Sequence, residues 1–295
     1  MMESSILELL SPTNWDAYIK AMEAADATQS LERGRILLLK FLGFSLSPQE
    51  QRFLSPDCAD PRSKNISYDS GADKIRGATV QGRDRAGLTA MMRRFTAQAR
   101  SLVNHLLPTY ADHLEMGRTS YRPVEILGRT TAATKDDTRL HVDAFASSPV
   151  QRRRILRLFT NINPRGEPRV WQVGEPFEQF AQRLLPKIAL PRPIAPWLLK
   201  QLHITKSLRT PYDHVMLNLH DRVKLDPGYL RSAPREQIDF PAGSSWIVFT
   251  DRVLHAALGG QYLLEQTFYL PVHAMANERV SPLRILESHY GRPLA

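Results

Sequence analysis

An α+β fold, with helices gathered in the first third and a β-rich body behind them, follows from three features of the sequence. Residues 15–27 and 31–42 carry helix formers with apolar side chains recurring at spacings of three and four. Residues 86–107 repeat that spacing over a longer stretch. Beyond Gly117, short β-prone runs separated by turn residues follow one another, the pattern of a barrel or sandwich.

Taken in order, Ser47-Pro48 reads as a helix start, and residues 55–84, rich in Ser, Asp, Gly and Pro, read as a loop with little to bury. In the long helix, Leu88, Met91, Met92, Phe95, Leu102, Val103 and Leu106 form one stripe opposite Arg93, Arg94 and Arg100. The basic face reads as solvated surface, with a platform for anionic head groups as the alternative. Strands are expected at residues 124–127, 154–162, 215–219, 245–249 and 262–270, and the Pro-rich residues 185–196 read as an irregular connection. The expected division is a helical extension over residues 1–118, packed on a β-rich core over residues 119–295.

At 295 residues the chain is large enough to enclose a cavity, and 42% hydrophobic with 23% charged residues is the balance of a folded globular protein. The 39 Lys and Arg against 30 Asp and Glu leave a formal charge of +9, which favours an anionic partner. Cys58 is the sole cysteine, so an internal disulfide and a cysteine metal cluster are both excluded, and a reducing compartment, the cytoplasm, fits. Glu3 and Glu8 stand where a secretion signal has basic residues, and the longest apolar fragment, around residues 35–44, is broken by Lys40. Any membrane contact is therefore expected to be peripheral.

His141-Val142-Asp143 places an imidazole and a carboxylate two residues apart, on one face of a strand. His255 follows the apolar run at 245–249 and the polar corner Thr250-Asp251-Arg252, so a neighbouring strand can deliver it to the same point. Two imidazoles and a carboxylate form the facial triad of non-haem iron(II) oxygenases, which leaves three positions on one side of the metal for a chelating cosubstrate and dioxygen. The residue pattern alone is weakly specific, because nine histidines are available to complete it.

The run at 154–163 adds context. Leu156, Leu158, Thr160 and Ile162 share one face, and Ile155, Arg157, Phe159, Asn161 and Asn163 the other, as expected of a strand lining a pocket. A 2-oxoglutarate cosubstrate needs a cation for its distal carboxylate, but the strand after His255 has no Arg. Gln266 stands at the expected distance, with Arg157 or Arg129 as the cationic anchor and Asn161 and Tyr121 as further hydrogen-bond donors. His214 and His220, six apart and on one face if extended, read as pocket groups or supports rather than as a second metal site.

Several stretches resemble the Kdo hydroxylases: His141-Val-Asp143, Arg154-Ile-Leu-Arg-Leu-Phe-Thr-Asn-Ile-Asn-Pro164, Arg169-Val-Trp-Gln-Val-Gly-Glu-Pro-Phe177, Pro211-Tyr-Asp-His214, Leu219-His-Asp221, Leu254-His-Ala256 and Leu264-Glu-Gln-Thr-Phe-Tyr-Leu-Pro271. The resemblance covers most of residues 121–272. It implies a double-stranded β-helix (jelly-roll, cupin-like) with iron(II) on His141, Asp143 and His255 and with 2-oxoglutarate and dioxygen as cosubstrates. The implied reaction hydroxylates carbon 3 of Kdo on a Kdo-bearing lipid A precursor, giving Ko, succinate and carbon dioxide. Arg152, Arg153 and Arg154 are expected to add to a basic surface for that acceptor, on the cytoplasmic face of the inner membrane.

Two other readings stand beside this one. A 2-oxoglutarate oxygenase acting on nucleic acid would share the charge, but no Arg occurs between His255 and Arg279, and basic residues are not interleaved with stacking aromatics, so no nucleic-acid partner is expected. A metal-free β-helix that only binds an anionic sugar is the other; whether the three donors converge decides against it or for it.

Overall fold

A computed structural model describes residues 6–128, 132–191, 205 and 207–295. In chain order these form β1 (Leu7–Leu9), α1 (Ala21–Glu32), β2 (Ile36–Leu39), β3 (Ile66–Asp69), β4 (Lys74–Arg76), α2 (Gly82–Leu106), β5 (Glu115–Arg122), β6 (Arg153–Asn161) and β7 (Arg169–Gly174). They continue with α3 (Phe177–Leu184), α4 (Pro211–Leu225), α5 (Pro227–Ser232), β8 (Arg235–Phe240), β9 (Ser245–Phe249), β10 (His255–Gly259), β11 (Leu263–Pro271) and α6 (Pro282–Tyr290). An eight-stranded mixed sheet in the order β1-β2-β9-β6-β11-β5-β3-β4 faces a three-stranded sheet, β10-β7-β8, in an α+β arrangement consistent with a jelly-roll.

The long helix forms where its apolar stripe placed it: Leu88, Met91, Met92, Phe95, Leu102, Val103 and Leu106 are all fully buried against the sheet. Arg93 and Arg100 are exposed, whereas Arg94 folds over the Phe44 ring, 4.1 Å away, and donates to Glu50. The strands expected at 154–162, 245–249 and 262–270 are β6, β9 and β11, the middle of the large sheet.

Several expectations change. Residues 31–42 do not form a helix beyond Glu32, where α1 ends: Ile36–Leu39 is a strand buried at every position and paired with β9 and β1. A short, continuously apolar run has no period that separates a buried strand from a buried helix. The first third therefore contributes β1, β2, β3 and β4 to the large sheet beside α1 and α2, and β5 runs across residues 118 and 119. The loop at 55–84 folds into the β3–β4 hairpin, pinned to β5.

Residues 124–127 are not a strand, since pairing ends at Arg122; the strand is the more polar β5 before them. Residues 215–219 lie inside helix α4, not in a strand. Thr210 caps that helix: its hydroxyl accepts the Asp213 amide, the Asp213 carboxylate accepts the Thr210 amide, and Pro211 opens the first turn. Ser47-Pro48 starts only a single 3-10 turn, Gln51–Phe53.

Candidate metal centre

Two backbone segments meet at the mouth of the sandwich. His141 and His255 face each other as a hydrogen-bonded antiparallel pair, each amide donating to the other's carbonyl at 2.9 Å, and the Asp143 amide donates to Thr250 O at 2.8 Å. Gly174 packs under Leu254, where a Cβ would come within 2.6 Å of the leucine Cδ2, so only glycine lets the turn before His255 sit this close to β7. The donors converge as a result: one ligand atom from each of His141, Asp143 and His255 lies within 4.8 Å of the other two.

The donor chemistry fits a divalent metal. Nδ1 of His141 lies 2.8 Å from Arg139 O, and Nδ1 of His255 lies 2.8 Å from Val253 O. A carbonyl only accepts, so both protons sit on Nδ1 and both Nε2 lone pairs are free to bind a metal. Burial pushes the pKa of both imidazoles below its ordinary value and keeps them neutral. Burial works against charge on Asp143, yet the Arg157 guanidinium beside it holds its carboxyl well below the usual carboxylate range. Its Oδ2 stands 3.0 Å from Arg157 Nη2 without hydrogen-bond alignment, which leaves a buried anionic oxygen with no hydrogen-bond donor.

The trio opens onto a cavity of about 1010 Å³ between the two sheets. One wall is the large sheet, with Arg118, Ser120 and Arg122 of β5, Arg157 and Phe159 of β6, and Glu265, Thr267 and Tyr269 of β11; Arg169 and Trp171 of β7 lie opposite. Glu265 is clamped between Arg157 Nη1 at 2.8 Å and Arg122 Nη2 at 2.9 Å. Trp171 stacks on the His255 ring, with centroids 4.8 Å apart, and joins Phe159, Phe240 and Trp246 in an aromatic wedge that closes this end of the sandwich.

Helix α4 brings His220 and Lys224, one turn apart, to the same cavity. The His220 ring meets His141 edge-on at 5.5 Å, and its Nδ1 pairs with Asp221 at 2.8 Å. His214 instead turns away, toward Ala189 O and Asn218; as helix residues, the two histidines do not share a face.

Of the anchor residues expected from sequence, Arg157 lines the cavity, but three others do not. The Gln266 amide faces α2, accepting from Thr119 Oγ1 at 2.6 Å and donating to Thr267 O at 2.7 Å. Tyr121, on that same face of β5, donates to Phe53 O at 2.8 Å. Asn161 holds the carbonyls of Glu167 and Phe240 at 2.9 and 3.2 Å, where β6 runs out. Each lost its place to strand parity or strand length. Arg129 lies outside the described residues. Arg154 is not at the surface either: it is fully buried, paired with Asp251 at 2.6 Å and lying over the Phe249 ring.

Sequence reasoning missed Arg169, Glu265 and Arg122 as pocket residues. Arg169 is buried, its Nη1 donates to the carbonyl of Gly260 at 2.8 Å, and it has no carboxylate within 4.0 Å among the described residues. Gly260 takes the left-handed φ of +108° that carries this close contact. Burial and the neighbouring Arg122 bring the Arg169 guanidinium down to about 9, still protonated at neutral pH. Glu265 could have been found by counting two residues at a time back from Tyr269.

Residues 14–293 match the family model described as 3-deoxy-D-manno-oct-2-ulosonic acid (Kdo) hydroxylase. No curated protein matches the chain. Among solved structures, the Kdo hydroxylase KdoO, a non-heme Fe(II) alphaketoglutarate dependent dioxygenase, is 44% identical in its complex with alphaketoglutarate and Fe(III), with 98% of this chain and 97% of that one covered and a TM-score of 0.94. Its cobalt(II) complex aligns with a TM-score of 0.95 at the same identity and coverage. With a family match over nearly the whole length and a converged histidine-aspartate-histidine trio beneath a cationic cavity, the chain belongs to the Kdo hydroxylase family of Fe(II)- and 2-oxoglutarate-dependent dioxygenases.

Proposed function

We propose that this protein hydroxylates carbon 3 of Kdo in a Kdo-bearing lipid A precursor, with 2-oxoglutarate and dioxygen as cosubstrates and Ko, succinate and carbon dioxide as products. The observation that carries the reading is the trio His141, Asp143 and His255 at the wall of a cavity lined by the half-buried Arg122 and Arg157 and the buried Arg169 and Lys224. We read the two facing sheets as a double-stranded β-helix, with residues 1–118 and 119–295 in one unit because both parts share the large sheet.

Iron(II) held by these three side chains supplies open coordination positions and the redox chemistry that puts an oxygen atom into an unactivated C–H bond. The protein does the rest. The Nδ1 contacts of His141 and His255 hold each ring in one tautomer and one orientation. Arg157, already shared between Asp143 and Glu265, steadies the carboxylate donor. Arg169, a buried cation with no carboxylate paired to it among the described residues, is the better anchor for the distal carboxylate of 2-oxoglutarate. Trp171 and Phe159 exclude water on that side. A formal charge of +9 supports contact with an anionic acceptor and with the membrane surface that carries it; no helix among the described residues is long and apolar enough to cross a membrane.

The test is anaerobic reconstitution with iron(II), then exposure of the Kdo-bearing precursor to 2-oxoglutarate and air, read by mass spectrometry. A gain of one oxygen atom that requires 2-oxoglutarate is expected; iron-loaded protein that adds none overturns the reading.

A further inference from the structure

A second groove, of about 520 Å³, runs between α2 and the β3–β4 hairpin, lined by Tyr68, Asp73, Arg93, Ala97, Arg100 and Asn104 among others. Ser70 and Met116 line both this groove and the cavity beside His141, so the two spaces adjoin at the start of β5. The side chains on the helix side, Arg93, Ala97, Arg100 and Asn104, follow at spacings of three and four, so one face of α2 forms the whole wall.

The charges in the groove are not alike. Arg93 grips Asp73 through two hydrogen bonds of 3.0 and 2.6 Å, and Tyr68 donates to the same carboxylate at 2.9 Å. This clamp holds Asp73 at a left-handed φ of 50° and fixes the hairpin turn that forms the opposite wall. Arg100, two turns further along α2, is exposed and has no ion-pair or hydrogen-bond partner among the described residues. One cation is consumed in building the groove and the other is left for a ligand.

We propose that this groove is a second anion subsite, where Arg100 takes a phosphate or carboxylate that the acceptor carries beyond the sugar that reacts. The inference rests on the proposed function for the identity of the acceptor. The occupant is the acceptor itself rather than bilayer lipid, because the groove adjoins, at Ser70 and Met116, the cavity where the reacting sugar must lie. Its neutral lining, Ala97, Met116 and the Thr96 and Ser101 side chains, accommodates a sugar or acyl portion between the two anchor points.

The test measures binding to iron(II)- and 2-oxoglutarate-loaded protein under nitrogen, by titration calorimetry in detergent, so that turnover does not intervene. The probes are the Kdo-bearing lipid A precursor, the same molecule after phosphatase treatment, and phosphatidylglycerol vesicles without it. Arg100→Glu is expected to weaken binding of the intact precursor about tenfold or more and Arg100→Gln about threefold, whereas Arg83→Glu, the same charge change on an exposed residue at the far end of α2, leaves it unchanged. Affinity for 2-oxoglutarate stays at the wild-type value in all three.

If phosphatase treatment removes the Arg100 effect, the anion is a phosphate; if the effect persists, it is a carboxylate. Equal losses for Arg100→Glu and Arg83→Glu, no binding of the precursor by wild-type protein, or a matching loss on vesicles that lack the precursor would each overturn the proposal. Admitting air separates the two claims. Arg100-dependent binding with no oxygen gained refutes the reaction and keeps the groove, while turnover with an unchanged acceptor KM in Arg100→Glu refutes the groove and keeps the reaction.

Discussion

Along β11, Glu265, Thr267 and Tyr269 look into the cavity, whereas Gln266 looks toward α2. β5 repeats the division, with Arg118, Ser120 and Arg122 in front and Thr119 and Tyr121 behind. The front face holds charges that answer one another along the cavity wall: Arg122, Glu265, Arg157 and Asp143 form an unbroken chain of ion pairs. The back face holds neutral groups whose hydrogen bonds are consumed locally, as in the Thr96-Thr119-Gln266 series. Polar residues occur on both faces, so polarity alone does not mark the site. What marks it is a buried charge or donor left over after the local pairing is complete.

That contrast can be broken first at the metal. His255→Ala or Asp143→Ala should abolish turnover and remove iron(II) from the purified protein, as chelation does reversibly in the wild type; retained iron would show that the trio is not the metal centre. A smaller effect is expected one step from the metal. Arg169→Ala should raise KM for 2-oxoglutarate by about 10- to 150-fold, the loss of a charge-assisted contact of roughly 1.5–3 kcal/mol, with far less change in KM for the acceptor. An unchanged KM would return the anchor to Arg157.

The back face should answer in stability and not in kinetics. Gln266→Leu removes the buried acceptor of the Thr119 hydroxyl and leaves it only Thr96, which should cost about 0.5–1.5 kcal/mol in urea unfolding, with KM for 2-oxoglutarate unaltered. Tyr121→Phe, which gives up only the bond to Phe53 O, should cost about 0.5–1.5 kcal/mol and again leave the kinetics alone. A rise in cosubstrate KM in either variant would mean that the two faces are coupled.

Much of the site was legible because its signals are local. His141 and Asp143 are two apart on extended backbone, and the polar corner before His255 announces a strand end. Arg157 was readable from the mixed face of β6. Gln266 and Tyr121 were not, because a strand's facing is set by its pairing register, and one residue of error sends the side chain to the opposite side. The helix at α4 was misread for another reason: its β-prone centre outweighed the capping signal of Thr210, Pro211 and Asp213.

By itself the sequence determined that this chain folds as α+β, that α2 has one buried stripe, and that His141, Asp143 and His255 are able to meet at one point. Only the tertiary structure decided that Ile36–Leu39 is a strand, that Arg154 is an interior residue, and that Arg169 and Glu265 face the metal's cavity. The physical reason is range. Periodicity and caps act over a turn or two of backbone, whereas the pairing of strands far apart in sequence, and the burial that follows from it, depends on partners no local window contains.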